Sequence, residues 1–387
     1  MSFAEPSFTI GVEEEYLLVD LASRDLVQDP PQAMLDECAD RLGNQVTPEF
    51  LRAQIEVGTK ICRNIGEVRH DLSRLRRTLI EIAGRYGCAP IGASTHPFAP
   101  WQGQKHTDKE RYNALAEDMQ VVARRLLTCG MHVHIGIEDD DLRIELLNQL
   151  PYFLPHLLTL STSSPFWAGE DTGLRSYRLS VFDELPRTGP PEHFSSFAEY
   201  QRAVAVLVKA GLLEDGTKLW WDVRPSARFP TLEMRITDMC PYLEDTLSIA
   251  AIFQCLCRML WRLRSENKRW RAYPRMLIEE NRWRAQRYGL DEGLVDFGKE
   301  AVVPYRDLLE EIIALVRDDS AILGCRPEVE SARAIVSRGT SAHRQVAVYR
   351  EALGRGATAA EALRTVVDEI VAETGEGLEA GGRPGHK

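Results

Sequence analysis

Residues 8–20, FTIGVEEEYLLVD, alternate between apolar and other side chains over most of their length. Successive side chains of a β-strand point to opposite faces, so Glu13 and Glu15 would share one face while the apolar side chains occupy the other. Glu14 falls on the apolar face. The stretch therefore predicts a strand with one face in the core and two carboxylates on the opposite face.

A second stretch, residues 129–137 (CGMHVHIGI), follows the same alternation. As a strand it would place His132 and His134 on one face, opposite a run of apolar side chains. Gly130 and Gly136 flank the histidines on that face, and glycines there would leave room for a ligand to approach the backbone. The pair indicates contact with a metal or a phosphate.

A third stretch, residues 231–238 (TLEMRITD), would put Glu233 and Arg235 on one strand face. Taken alone, this pair favours a structural ion pair. Only the repetition of ionisable side chains on one face of three separate strands indicates a common site.

Residues 49–59 (EFLRAQIEVGT) contain a further carboxylate-bearing segment. If 51–57 is a strand, Glu56 lies on its polar face together with Arg52 and Gln54. Glu49 can join that face only if the chain turns or bulges before the strand. Taken alone, the segment favours a half-exposed edge strand.

These glutamates indicate a metal site on a sheet. Carboxylates on one face raise each other's pKa unless a cation lies between them, and oxygen ligands in this number suit Mg²⁺ or Mn²⁺ better than zinc. An exposed strand with solvated glutamates remains an alternative for the first segment. Two aromatic and basic stretches, 173–178 (GLRSYR) and 220–228 (WWDVRPSAR), and the loop between them supply guanidinium groups that could bind phosphate or carboxylate oxygens: Arg175, Arg178, Arg187, Arg224 and Arg228. Taken singly, each of these arginines favours a structural role.

Composition narrows the class of protein. The chain has 387 residues and a net charge of −11, which argues against nucleic acid or an anionic membrane as a partner. No apolar run approaches the roughly 20 residues of a membrane span, and the start lacks the features of a secretion signal. The eight cysteines have no zinc-site spacing and are interpreted as reduced thiols, so we expect a cytoplasmic protein.

Helices are predicted at 69–86, 108–127, 243–264 and 358–374, with a short buried strand at 88–93 and a loop at 186–191. Strands in the first two thirds do not alternate regularly with helices. This favours an α+β fold with an antiparallel sheet, on which the helical final third packs as a layer. We expect one catalytic domain over residues 1–374 and a disordered tail over 375–387.

In their order along the chain the motifs resemble those of the glutamate–cysteine ligase type 2 family. These bacterial ATP-dependent carboxylate–amine ligases are related in fold to glutamine synthetase. The matching segments are GVEEE at 11–15, Glu49 with Glu56, CGMHVH at 129–134, and LEMRITD at 232–238 with Pro241. The resemblance covers roughly residues 8–374 and implies a curved, mainly antiparallel sheet with helices on its outer face.

The resemblance also implies the site. ATP and two or three Mg²⁺ ions, with Mn²⁺ as an alternative, would be bound, and the substrates would be small amino acids and amines, with glutamate and cysteine first among them. A homodimer is a candidate assembly. His134 stands where better-known ligases carry asparagine, which bears on amine specificity. The implied metal ligands are Glu13, Glu15, Glu49, Glu56, His132 and Glu233; Arg235 and Glu56 are assigned to catalysis, and Arg178, Arg224 and His134 to cofactor binding.

Two other classes remain open at this point. A mononuclear oxygenase or hydrolase, using His-x-His and one glutamate without ATP, would need a single metal and would leave Glu13 and Glu56 without a role. A non-enzymatic binding module would keep its ligand after replacement of Glu13. The phosphate-binding loop GxxxxGK[ST], the GxGxxG loop and a nucleophile elbow are not found in the sequence, so a nucleotide would have to be held by metals and arginines.

Overall fold

The computed structural model describes residues 4–378. The strands are β1 Ile10–Asp20, β2 Val46–Pro48, β3 Gln54–Gly58, β4 Cys88–Ile91, β5 Met131–Gly136, β6 Phe166–Trp167, β7 Glu170–Asp171, β8 Thr188–Gly189, β9 Trp220–Trp221, β10 Val223–Pro225, β11 Thr231–Met234, β12 Leu294–Asp296 and β13 Ala301–Val303. The helices are α1 Gln32–Leu42, α2 Ile65–Arg85, α3 Glu110–Met119, α4 Val121–Arg124, α5 Asp140–Gln149, α6 Leu154–Ser161, α7 Tyr177–Phe182, α8 Phe197–Lys209, α9 Leu243–Ser265, α10 Arg275–Tyr288, α11 Tyr305–Leu315, α12 Arg317–Leu323, α13 Arg326–Arg338, α14 Ser341–Gly354 and α15 Ala359–Gly375.

A seven-stranded sheet forms the centre of the molecule. Its strand order is β10-β11-β5-β1-β3-β2, and β4 also pairs with β1. Every pairing in this sheet is antiparallel. The α+β class with an antiparallel sheet, predicted from the irregular spacing of the strands, is confirmed.

One face of the sheet is covered by helices and forms the core. The apolar side chains of β1 and β5 are buried there, and α2 and α9 pack against these strands. Glu14, the carboxylate on this apolar face, is fully buried and ion-paired with Arg76 of α2 at 2.5 Å. It also accepts hydrogen bonds from Tyr16 and from Thr246 of α9. The carboxylate that the apolar pattern did not explain thus connects the sheet to two helices.

The long helices follow their sequence signals. Asn64 caps α2 by accepting from the Glu67 amide, and Gly87 ends it in a left-handed conformation (φ +72°) that a glycine adopts without strain. The capping box of Thr358 and Glu361 is present at α15. α9 is the one helix within residues 4–378 that is long and apolar enough to cross a membrane, and 83% of its most apolar window is buried inside the structure. It is a core helix, as its all-round apolar pattern predicted.

Several predicted boundaries were wrong. β1 begins at Ile10 because Phe8 has a positive φ of 45°, which a strand cannot hold. The predicted helix 108–127 is broken into α3 and α4 at Gln120, which also has a positive φ. The predicted loop 186–191 contains β8, which pairs in parallel with β9.

Two strands that carry site residues, β11 and β3, are also shorter than predicted. β11 ends at Met234, because the amides of Arg235 and Ile236 donate to the Asp222 carbonyl instead of continuing the ladder. The strand predicted at 51–57 starts only at Gln54, after a turn. Of the predicted tail, 375–387, the part from residue 379 onward lies outside the described residues. One catalytic domain over residues 1–374 stays a prediction.

Candidate active site

A cavity of about 450 Å³ opens on the face of the sheet that the core helices leave uncovered. Side chains from β1, β3, β5, β10 and β11 line it, together with residues from the β2–β3 turn and α7. The structure brings together in this cavity the ten residues that the resemblance assigned to the site: Glu13, Glu15, Glu49, Glu56, His132, His134, Arg178, Arg224, Glu233 and Arg235.

Strand register explains why residues so distant in sequence meet. On the central strand β1, Glu13 lies directly opposite His132 of β5, and Glu15 lies opposite Glu56 of β3. His134 in turn lies opposite Glu233 of β11. Directly opposed residues in antiparallel strands point to the same face, so three registers bring four of the glutamates and both histidines to one face.

The first group of potential ligands comprises Glu13, His134 and Glu233, each offering an atom within 4.8 Å of the others. His132 adjoins this group, with Nδ1 3.2 Å from Glu13 Oε2. Burial would raise the pKa of Glu13, but the two histidines hold it well below its ordinary value. Burial lowers the pKa of His132 to about 4, aided by Arg235, so this imidazole is neutral at pH 7 and able to ligate a metal.

The second group comprises Glu15, Glu49 and Glu56, again with one oxygen from each within 4.8 Å of the others. Burial and the charge of Glu49 raise the pKa of Glu15 to about 8, and the same causes raise that of Glu56 well above its ordinary value. The Gly130 amide donates to Glu15 at 2.6 Å. Three carboxylates crowded in this way repel one another, and a cation between them removes that repulsion.

Two imidazole nitrogens are available to a ligand. The Nε2 atoms of His132 and His134 are buried, and neither has a hydrogen-bond partner within the described part of the chain. Buried polar atoms usually have partners, so two unpartnered ones in one cavity require an explanation. Together with the two carboxylate-bearing groups they provide the oxygen and nitrogen donors of a divalent-metal site, and the residues present therefore fit such ions.

The arginines in the cavity are largely engaged with the protein itself. Arg224 forms an ion pair with Glu233 at 2.9 Å and also donates to the carbonyls of Thr217 and Leu219. Arg235 is ion-paired with Glu233 as well. Arg178 donates to the carbonyls of Arg235 and Ile236. These contacts fix the floor of the cavity.

The ligand space predicted beside two glycines is not there. A side chain at Gly130 would collide with the Arg178 guanidinium, and one at Gly136 with the hydroxyls of Ser7 and Thr9. The glycines therefore make room for side chains of this chain, not for a ligand. Arg52, predicted on the polar face with Glu56, instead pairs with Asp29 at 2.7 Å, because it lies in the turn before β3.

Of the other arginines considered, Arg228 lines the cavity, whereas Arg175 pairs with Asp291 and Arg187 stacks over the ring of Trp220. Sequence reasoning missed several residues of the cavity wall. Some of these lie in the aromatic and basic stretch 220–228 or beside it, where the sequence pattern indicated only the arginines as binding residues. The others carried no visible signal; the set is Lys109, Tyr112, Phe182, Lys218, Trp220 and Phe229.

This chain is similar to known proteins over nearly its whole length. A family model described as "Glutamate-cysteine ligase family 2" matches residues 9–369. A curated Rhodospirillum rubrum protein, named provisionally as glutamate--cysteine ligase 2, is 61% identical over 386 residues, which are 98% of this chain and 99% of that protein.

Two solved structures share the fold. Glutamate–cysteine ligase from Francisella tularensis, in complex with AMP, gives a TM-score of 0.68 at 13% identity and covers 98% of this chain and 91% of its own. A bifunctional glutathione synthetase from Pasteurella multocida gives 0.64 at 15% identity, covering 95% of this chain, which spans 53% of that enzyme. At these identities the likeness speaks to the fold alone, and the predicted glutamine-synthetase-like fold is confirmed. Together with the family model and the R. rubrum relative, it leads to one conclusion: this chain belongs to glutamate–cysteine ligase family 2.

Proposed function

We propose that this protein is an ATP-dependent carboxylate–amine ligase that forms an amide through an acyl phosphate. The observation that carries the proposal is the pair of adjacent ligand groups, built around Glu13 and Glu15 on one strand face, that open into the same cavity. Such a site suits a reaction in which two anions must approach each other. Residues 1–374 would form the catalytic unit.

Divalent cations would be held by two sets of residues. Glu15, Glu49 and Glu56 form one, and Glu13, His132 and Glu233 form the other. Bound there, Mg²⁺ or Mn²⁺ would neutralise the phosphates of ATP and a substrate carboxylate. Three arginines of the cavity, Arg178, Arg224 and Arg235, are held in place by ion pairs or backbone carbonyls, which would give a rigid wall against which the phosphates bind. Arg178, Arg224 and His134 are the proposed contacts of the nucleotide.

The chemistry would follow in two steps. A carboxylate oxygen of the acid attacks the γ-phosphorus in line, and ADP leaves. The amine then attacks the acyl carbon, loses a proton, and inorganic phosphate leaves with the amide formed. Arg235 would stabilise charge on the transferring phosphoryl group, and Glu56 would help to position the acid at the reacting centre.

Glutamate is the proposed acid and cysteine the proposed amine, on the strength of the family and of the names of the relatives. The cytoplasm, where ATP and reduced thiols are abundant, is the proposed location. A mononuclear His-x-His oxygenase or hydrolase is not supported, because the cavity offers two groups of ligand atoms, with five carboxylates between them, where that reaction needs one metal.

An ADP-release screen tests the proposal. The purified protein is given Mg²⁺, ATP, glutamate and a panel of amines that includes cysteine, and each product is identified by mass spectrometry. We expect ADP release that depends on both the acid and the amine, with the amide formed in equal amount. Absence of ADP release across panels of acids and amines, from folded protein that binds the metal, would overturn it.

A further inference from the structure

His134 has a different environment from His132, although the two share one strand face. Its Nδ1 atom lies 3.0 Å from the Thr231 hydroxyl, on the neighbouring strand β11. Thr231 precedes Glu233 by two residues, so both side chains lie on the sheet face that carries His134. The imidazole is therefore held at one nitrogen by a neutral hydroxyl group, while its other nitrogen points towards the carboxylates.

That other nitrogen, Nε2, is buried and lies 3.5 Å from Glu13 Oε1, but no hydrogen bond to it forms within the described residues. It belongs to the group in which Glu13, His134 and Glu233 each offer one atom within 4.8 Å of the others. His132 occupies another place: its Nδ1 is 3.2 Å from Glu13, and its Nε2 is 3.7 Å from Glu15, so it lies between the two carboxylate groups.

We propose that His134 Nε2 is a direct ligand of the divalent cation held between Glu13 and Glu233, and that Thr231 fixes the tautomer required for this. A metal-binding histidine commonly hydrogen-bonds through its second ring nitrogen to a group that sets the tautomer and the ring orientation. When Thr231 accepts from Nδ1–H, the lone pair is placed on Nε2. The inference rests on the proposed ligase function and deepens it: His134, proposed above as a contact of the nucleotide, joins Glu13, His132 and Glu233 as a ligand of the metal.

An imidazole ligand also affects which metal is preferred. Mg²⁺ binds oxygen donors almost exclusively, whereas Mn²⁺ and later first-row ions gain more from nitrogen. With His134 added to Glu13, His132 and Glu233, the site has two imidazoles and should favour Mn²⁺ over Mg²⁺ more strongly than the same site with one imidazole. Asparagine, which the better-known ligases carry at this position, would offer an amide oxygen in its place.

The test is Mn²⁺ binding to the full-length protein without ATP or substrates. Calorimetry gives the affinity, and electron spin-echo modulation detects nitrogen bound to Mn²⁺. For His134→Asn we expect the Mn²⁺ affinity of one site to fall by at least about tenfold, the Mg²⁺ affinity to change less, and part of the nitrogen modulation to disappear. Thr231→Val should weaken Mn²⁺ binding in the same direction, and Thr231→Ser, which keeps the hydroxyl, should not.

Unchanged Mn²⁺ affinity and unchanged nitrogen modulation in His134→Asn would overturn the inference. The melting temperature of each metal-free variant checks that the fold is intact. His132→Asn, on the same strand face, removes the other proposed imidazole ligand, and we expect it to remove the remaining part of the nitrogen modulation. The result is independent of catalysis: a parent protein without ligase activity that still loses Mn²⁺ affinity on this replacement would contradict the proposed function and support the ligand.

Discussion

Strand β1 carries three consecutive glutamates, of which Glu14 lies on one face of the sheet and Glu13 and Glu15 lie on the other. Glu14 faces the helices, is fully buried, and is neutralised by Arg76 with help from the hydroxyls of Tyr16 and Thr246. Glu13 and Glu15 face the cavity, where further carboxylates and two unpartnered imidazole nitrogens surround them. On the helix-covered face an arginine of the chain neutralises the carboxylate, whereas on the cavity face the three clustered carboxylates Glu15, Glu49 and Glu56 have no ion pair with an arginine or lysine among the described residues.

This difference separates scaffold from site. A buried carboxylate paired with a guanidinium is complete without any ligand, and removal of either partner leaves an unpaired buried charge. A cluster of carboxylates with raised pKa values is complete only when a cation binds. Neighbouring residues of one strand should therefore respond in opposite ways to the same substitution.

The largest expected effect is the loss of activity in Glu13→Gln. Removing one charged ligand weakens metal binding. Because a bound metal stabilises the transition state of such reactions by several kcal/mol, turnover should fall at least about a hundredfold. Stability of the metal-free protein should change little, because relief of the repulsion of Glu56 opposes the lost contacts with His132 and His134. Steady-state kinetics and thermal melting of the same sample measure both, and an unchanged turnover number at saturating Mg²⁺ would refute the assignment.

The matched variant Glu14→Gln should behave in the opposite way. Breaking the buried pair with Arg76 should lower the free energy of unfolding by about 3 kcal/mol, because an unpaired guanidinium is left in the core. Chemical denaturation of the metal-free protein measures it. A double variant in which Arg76 is also replaced by methionine should regain part of the loss. Loss of activity without loss of stability in Glu14→Gln would break the distinction between the two faces.

Arg235→Lys probes the boundary between the two roles, since Arg235 lies in the cavity and is also ion-paired with Glu233. Lysine keeps the charge but not the planar fork, so turnover should fall at least about tenfold with little change in ATP affinity. Normal turnover with a lowered melting temperature would instead assign Arg235 to the scaffold.

The last effect concerns pH. Burial and Glu49 raise the pKa of Glu15 from an ordinary 4.5 to about 8 in the folded protein. The folded state therefore holds a proton that the unfolded state has lost, and the metal-free protein should lose stability as pH rises from about 4.5 to about 8. Melting curves with a chelator measure this decline. Saturating Mg²⁺ should flatten the decline in stability, and Glu15→Gln should show a smaller decline than the parent protein. An equally steep decline in Glu15→Gln would show that another group causes the pH dependence.

Alternation along single strands predicted which side chains of each strand share a face, and the family resemblance grouped ten residues into one site. Sequence alone could not supply the register that places Glu15 opposite Glu56, nor the turn that brings Glu49 beside them. The left-handed residue Gln120, which breaks a helix, has no pattern that announces it. The space beside Gly130 was misjudged because the side chain that fills it, Arg178, comes from a distant helix.

The central claim, that an acyl phosphate forms, is tested most directly by the transfer of ¹⁸O from the acid substrate to inorganic phosphate. The acid substrate is labelled with ¹⁸O in its reacting carboxylate, and the enzyme turns it over with ATP, Mg²⁺ and the amine that supports ADP release. If an acyl phosphate forms, one labelled oxygen leaves with each inorganic phosphate. We predict one ¹⁸O atom in the released phosphate for each amide formed, and amide formation with unlabelled phosphate would contradict the mechanism.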